Sequence, residues 1–290
     1  MVVTATAVPA GPALLAWTVD PLTVAGLGLA ASAYAAGIVR VRRAGGRVPR
    51  GAVWAWYGGI AVAAIALTSP IDTYADVSFS VHMVQHVLLT LAAPPLLALG
   101  APITLALRAL RPPAARRLSS VLRSPLVAFV TSPVVAWAVF VGVPWAIHVS
   151  PLFDVALRSS ALHALEHALW VASALLLWWP VVGADPAPHA WSYPTRLLAL
   201  FLAMPAASFL SLAIFSASAP WYPTYASAPP PWGPGALASQ RDAAVVMWLL
   251  TGLGQVVAML LVAAAWKRHD DARQRRLEAR LDAASGAVAP

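Results

Sequence analysis

The sequence predicts an all-α membrane protein: a bundle of about seven transmembrane helices, amino terminus outside and carboxyl terminus cytoplasmic. Three observations predict it. The 290 residues are 60% hydrophobic and only 10% charged, whereas soluble chains carry roughly 25% charged residues. Several stretches reach the length of about 20 apolar residues that a spanning helix needs. Lys and Arg gather in alternate connections between those stretches.

The seven candidate spans run at about Leu22–Val39, Val53–Ser69, Val81–Leu107, Leu126–Ile147, Ala161–Val182, Leu197–Ala217 and Ala243–Trp266. Turn formers separate them, as at Ala44-Gly45-Gly46, Arg111-Pro112-Pro113 and Pro229-Pro230-Pro231. Within the third span, Pro94-Pro95 predicts a kink that frees backbone carbonyls. The stretch from Ser218 to Asp242 is rich in Pro, Trp and Tyr, which suits an ordered cap at the membrane surface. Residues 1–266 read as one polytopic transmembrane domain, and 267–290 as a charged cytoplasmic tail, a short helical extension. The first twenty residues carry no Lys or Arg and so lack the basic start of a signal peptide; the first apolar helix is expected to stay in the mature protein.

Orientation follows from the basic residues. With the amino terminus out, cytoplasmic segments hold Arg40, Arg42, Arg43, Arg47 and Arg50, then Arg108, Arg111, Arg116, Arg117 and Arg123, then Arg196 and six more from Lys267 to Arg280. That is seventeen of the nineteen Lys and Arg, leaving only Arg158 and Arg241 outside. This spread also disposes of nucleic acid as a partner despite the net charge of +8. The anionic inner leaflet of the bilayer is the partner such charges face. Cysteine is absent, which excludes disulfides, thiolate metal sites and Cys nucleophiles.

Two motifs carry chemistry. His82-Met83-Val84-Gln85-His86 opens the third span and His163-Ala164-Leu165-Glu166-His167 the fifth. Residues four apart share a helix face, so each pair is a potential two-nitrogen clamp, and topology puts both clamps at the non-cytoplasmic edge. His148 ends the fourth span there, Asp72 follows the second, and Asp242 starts the seventh; His189 and His269 fall on the other side. One interfacial histidine is ordinarily just a half-wet amphipathic ring. Two pairs on co-directional spans favour a shared metal or haem site, because ionisable groups in the membrane are costly.

Four imidazoles with one or two carboxylates favour copper or zinc, and the thioethers of Met83 and Met247 would select Cu(I). Met83 lies about 100° round the helix from His82, so one metal cannot take both. Ser80 and Ser160 are expected N-caps, placing the histidines in first turns, where the helix dipole keeps the rings neutral. Other readings stay open. His163, Glu166 and His167 spell H-x-x-E-H, with two zinc ligands and a Glu base, as in a membrane metalloprotease. Glu166 could instead orient a ligand histidine. Facing histidines could hold a b-type haem. A copper transporter should carry polar residues near the midplane, where these spans are nearly all Ala, Leu, Val and Trp.

The stretch His82-Met-Val-Gln-His86-Val-Leu-Leu-Thr-Leu-Ala-Ala-Pro94-Pro95-Leu-Leu-Ala-Leu-Gly100-Ala-Pro102 resembles the signature of the CtaG family of Bacillus-type and actinobacterial genomes, polytopic cytochrome c oxidase assembly factors. Glu166-His167, Leu176-Leu-Trp-Trp179-Pro180-Val-Val-Gly183, Trp221-Tyr222-Pro-Thr-Tyr225 and Met247-Trp248 extend the resemblance from about Ser69 to Trp266. One departure is visible: the family often has an acidic residue directly before a Gln ahead of the last span, where this chain has Ser239-Gln240. That leaves a carboxylate role for Asp242 open. The resemblance implies a non-enzymatic, multi-pass plasma-membrane protein that helps build a haem-copper oxidase. It implies copper supplied to the catalytic subunit. A histidine site at the outer membrane edge would suit capture of that copper from an extracytoplasmic copper chaperone.

Overall fold

The structure, a computed structural model, describes residues 17–227 and 234–286, with side chains described as far as Leu281. The expected turn at Pro229-Pro230-Pro231 and the residues before Trp17 lie outside that range. Among the described residues the chain is all helix and turn, with no strand.

Helices α1 (Pro21–Arg43) and α2 (Arg50–Thr68) form an antiparallel pair, followed at once by a short α3 (Pro70–Ala75). The third span is assembled from pieces. Helix α4 (Phe79–Val87) passes into a π turn (Leu88–Ala92), then α5 (Ala93–Leu99) and α6 (Pro102–Ala109). Pro94 and Pro95 explain the first irregularity. Pro94 has no N–H for the carbonyl of Thr90 four residues earlier, and that carbonyl accepts instead from the indole Nε1 of Trp178 at 2.8 Å. The second break falls at Ala101, whose φ of 49° is left-handed. There the Tyr34 hydroxyl donates to the Gly100 carbonyl at 2.7 Å, and the two amides that open α6 donate to Asp185, Ile103 at 3.0 Å and Thr104 at 2.6 Å.

An amphipathic helix α7 (Pro112–Leu122) leads to the fourth expected span. That span differs from expectation: α8 (Pro125–Val130) ends at Thr131, and α9 (Pro133–His148) starts afresh behind Ser132. Pro133 at the first helical position removes the N–H that would have continued α8. The buried Thr131 carbonyl accepts from Trp191 Nε1 at 3.2 Å. Short α10 (Leu152–Leu157) precedes α11 (Ser160–Val182), α12 (Tyr193–Phe215), a small α13 (Pro223–Ser227) and α14 (Ala236–Gly286).

Among the described residues, six helical stretches are long and apolar enough to cross a membrane; α9 is apolar but shorter. The charged extension after Trp266 continues α14, which runs unbroken for 51 residues. Asp242, expected at the start of the last span, therefore sits inside α14 with its side chain exposed.

Packing places a core at each end and a third at the side. Trp178, Leu177, Phe140 and Leu200 pack one end, while Phe79, Phe153, Trp170, Leu210 and Tyr222 pack the other. Tyr34, Ile38 and Leu105 join α1 to α6. Close approach of α2 and α5 depends on Gly59, where a Cβ would stand 2.8 Å from Leu97 Cγ and 3.0 Å from its backbone nitrogen. Large apolar side chains such as Phe201, Phe209, Leu253 and Leu260 point outward, as lipid-facing residues do.

Candidate metal centre

The two histidine pairs sit where α4 and α11 begin. The N-caps are Ser78 and Ser159, with extended φ of −128° and −141°, so the expected caps Ser80 and Ser160 lie within the first turn. The correction is one or two residues, and His82 and His163 remain in first turns. At the same end, α9 finishes on His148.

The fold brings all five rings together. His82 Nε2 and His86 Nε2 stand 2.9 Å apart, and the ligand atoms of His82, His86 and His167 all lie within 4.8 Å of one another. His163 stands outside that trio, its ring centroid 5.1 Å from His82 and 4.3 Å from His167. His148 is 6.1 Å from His86 by the same measure. His82 is 0% exposed and His167, the most open of the trio, 9%. His163 and His167, the H-x-x-E-H pair, remain neighbours on α11, and His167 also meets the pair on α4.

Hydrogen bonds assign the tautomers. Tyr225 on α13 donates its hydroxyl to the Ala75 carbonyl at 2.6 Å and meets His82 Nδ1 at 2.8 Å. Burial, with Asp76 and Glu166 adding to it, pushes the Tyr225 phenol well above its ordinary range, so it stays a donor. His82 Nδ1–H therefore donates to the Tyr225 oxygen, which leaves the lone pair on Nε2. His148 Nδ1–H donates to the Pro144 carbonyl at 2.9 Å, leaving its Nε2 lone pair buried and unpartnered. His163 Nε2, His167 Nε2 and His86 Nδ1 are also buried without a partner. Such orphans are rare in folded proteins, and several on one small volume fit a cation that accepts lone pairs. A nitrogen-only trio suits a late transition metal such as copper or zinc better than magnesium or calcium.

Glu166 Oε1 lies 3.5 Å from His86 Nε2 and accepts from Trp170 Nε1 at 3.2 Å. It thus stands on the Nε2 side of His86, the side that faces the trio, and sets a carboxylate beside it. Phe153, 0% exposed, stacks on His148 at 5.2 Å, and Trp170 lies against His86 at 4.3 Å, so aromatic rings wall the cluster off. Asp72 does not reach it: Thr18 Oγ1 donates to one of its oxygens at 2.6 Å and Gln85 Nε2 to the other at 2.8 Å. Burial raises the Asp72 carboxyl. It also raises that of nearby Asp76 to about 6, with Asp72 adding to the effect. Met83 and Met247 line a cavity that His86 shares.

Sequence reasoning did not single out Tyr225, Phe153 or Trp170. The only signal was the Trp221-Tyr222-Pro-Thr-Tyr225 segment, which carries no metal-ligand type. Three bonds pin that segment over the site: Tyr222 hydroxyl to the His148 carbonyl at 3.2 Å, Thr224 N to Asp154 at 2.8 Å, and Trp221 N to Gln240 Oε1 at 2.7 Å. Arg158 pairs with the same Asp154.

Fold and site together define a multi-pass helical membrane protein with a buried histidine cluster at one end of its bundle. The chain belongs to the cytochrome c oxidase caa3 assembly factor family, whose model matches residues 32–269. It is 34% identical over 277 residues to uncharacterized proteins of Mycobacterium bovis and Mycobacterium tuberculosis. It is 33% identical over 262 residues to one of Mycobacterium leprae. These alignments cover 93% and 88% of this chain but only 41% and 40% of the relatives' own length. No solved structure matches.

Proposed function

We propose that the chain handles copper during assembly of a haem-copper oxidase, holding the ion as cargo on His82, His86 and His167. His163 and His148 stand by as further nitrogen donors. The oxidase catalytic subunit is the client, and an extracytoplasmic copper chaperone the source. In this reading the bundle crosses the plasma membrane seven times, with α8 and α9 together making the seventh pass. The amino terminus is out, the carboxyl end of α14 is cytoplasmic, and the site opens to the outer edge. The positive-inside distribution of Lys and Arg supports that orientation. Delivery of an ion requires neither hydrolysis nor redox turnover, so the protein is read as an assembly factor and not an enzyme.

The observation that carries the proposal is the meeting of three buried imidazoles from two helices within 4.8 Å. Copper content of the purified protein tests it, wild type against His82→Ala/His86→Ala: loss of copper in the variant is expected, and equal copper in both removes the site. A Soret band in the wild type would replace copper with haem. Deletion of the protein should lower oxidase activity in copper-poor medium, with recovery on added copper. Normal activity without it would count against the assembly role.

A further inference from the structure

Next to the trio, toward the middle of the bundle, lies a cavity of about 60 Å³. His86, Met83 and Met247 line one part of it, and Thr90, Thr251 and Gln255 another. A water needs about 10–15 Å³ measured this way, so the space takes a small ion or a few waters but no haem, quinone or lipid tail. Both threonine hydroxyls are occupied, Thr90 donating to the His86 carbonyl and Thr251 to that of Met247. Two polar atoms on the cavity residues are orphaned: His86 Nδ1, on a side chain 3% exposed, and Gln255 Oε1, on one 1% exposed.

The sulfurs supply the remaining chemistry. Met83 precedes His86 by three residues on α4, so the two share a face; α14 brings Met247 into the same buried cluster. Met83 is 1% exposed and Met247 8%. Two thioethers and an imidazole in a dry apolar space are a soft donor set, which favours Cu(I) over Cu(II) or zinc. The angle that kept Met83 from sharing a metal with His82 turns it toward this cavity instead.

Resting on the copper reading above, we infer that Met83, Met247 and His86 Nδ1 form a second position, for a soft monovalent metal ion. A neutral imidazole has one lone pair, so His86 serves the trio through Nε2 or the thioether position through Nδ1, never both. The two positions are alternatives for one ion, and His86 is the residue they exchange through. The deeper position retains Cu(I), whereas Cu(II) stays on the nitrogens.

Copper K-edge absorption of the purified full chain in detergent tests this, with Cu(I) added under reductant and Cu(II) added separately. The wild type should show sulfur neighbours with Cu(I) and nitrogen alone with Cu(II). In Met83→Leu/Met247→Leu, sulfur should disappear and Cu(I) should bind more weakly in competition with bicinchoninate. The loss should be at least the roughly 10-fold that losing an outer-shell partner costs, with Cu(II) binding unchanged. Leu and Met are near in volume, and the swap ordinarily costs less than about 1.5 kcal/mol. If the double variant does not purify, each single Leu variant should lower the sulfur signal. Nitrogen-only Cu(I) in the wild type, or sulfur retained in the double variant, overturns this inference and leaves the trio standing. A wild type that retains no copper in either state overturns both.

Discussion

His82 and His86 point their Nε2 atoms at each other across 2.9 Å. With the His82 proton held on Nδ1 by Tyr225, the bridging proton belongs to His86, and an incoming metal must displace it. The pair is therefore sprung for a cation: shifting that proton to the unpartnered His86 Nδ1 leaves two lone pairs facing one point, with the unpartnered His167 Nε2 beside them.

Tyr225→Phe takes away the oxygen that fixes the His82 tautomer. It leaves the ring in place but free to carry its proton on Nε2, where it would block ligation. Copper affinity should fall by about 10- to 100-fold, the usual cost of losing an outer-shell partner. Melting should fall as well, because the buried Ala75 carbonyl and His82 Nδ1 lose their partner, at a cost of about 1–3 kcal/mol. Competition titration against a chelator measures the first and detergent melting the second; an unchanged affinity would remove Tyr225 from the site.

His167→Ala and His163→Ala separate two residues that sequence spacing treats alike. Only His167 belongs to the close trio, so its loss should abolish stoichiometric copper, while His163→Ala should retain most of it. Metal analysis of the two purified variants decides, and equal losses would mean that His163 is an equal ligand.

Asp76 titrates at about 6 in the fold against 3.8 in an ordinary carboxyl. The folded chain therefore holds an extra proton between those values, and the resulting stabilisation is full below pH 3.8 and lost as pH rises through 6. Asp76 keeps solvent contact, so the effect is small. Wild-type melting temperature measured relative to Asp76→Asn should decline from pH 4 to pH 6 and level off by pH 7. A difference that does not vary with pH would contradict the assignment.

Gly59→Ala and Gly58→Ala form a matched pair in α2. Ala improves an exposed helix by about 1 kcal/mol over Gly, but at position 59 the new methyl meets a backbone atom of Leu97 at 3.0 Å. Overpacking of that kind costs about 1–3 kcal/mol and should win, lowering the melting temperature. At position 58 the nearest atom is Leu96 Cδ1 at 3.9 Å, so that variant should melt at or above wild type.

The helical class and the convergence of both His pairs were legible in the sequence, because apolar length, charge placement and four-residue spacing are local signals. The breaks were less so. Pro94-Pro95 announced a distortion, but not that a π turn would absorb it or that Trp178 would take the Thr90 carbonyl 88 residues away. The interruption at Thr131 was missed although Ser132-Pro133 is a helix-start signal, because the apolar runs on either side read as one span. The spacing also treated His163 as equal to His167, since periodicity reports a face and not the depth of each residue along it. Tyr225 was visible only as part of a segment that carries the family resemblance, because its role comes from meeting His82, 143 positions away.

Helix α14 contributes Gln240 and Met247 at the site end and carries Lys267 through Arg280 at the other, all on one rod. At about 1.5 Å per residue, 51 residues make a lever roughly 75 Å long. The helix is continuous across that length, so the two ends belong to one element. A tilt of about 5° about its middle would swing each tip by roughly 3 Å, so whatever grips the charged end has mechanical purchase on Met247.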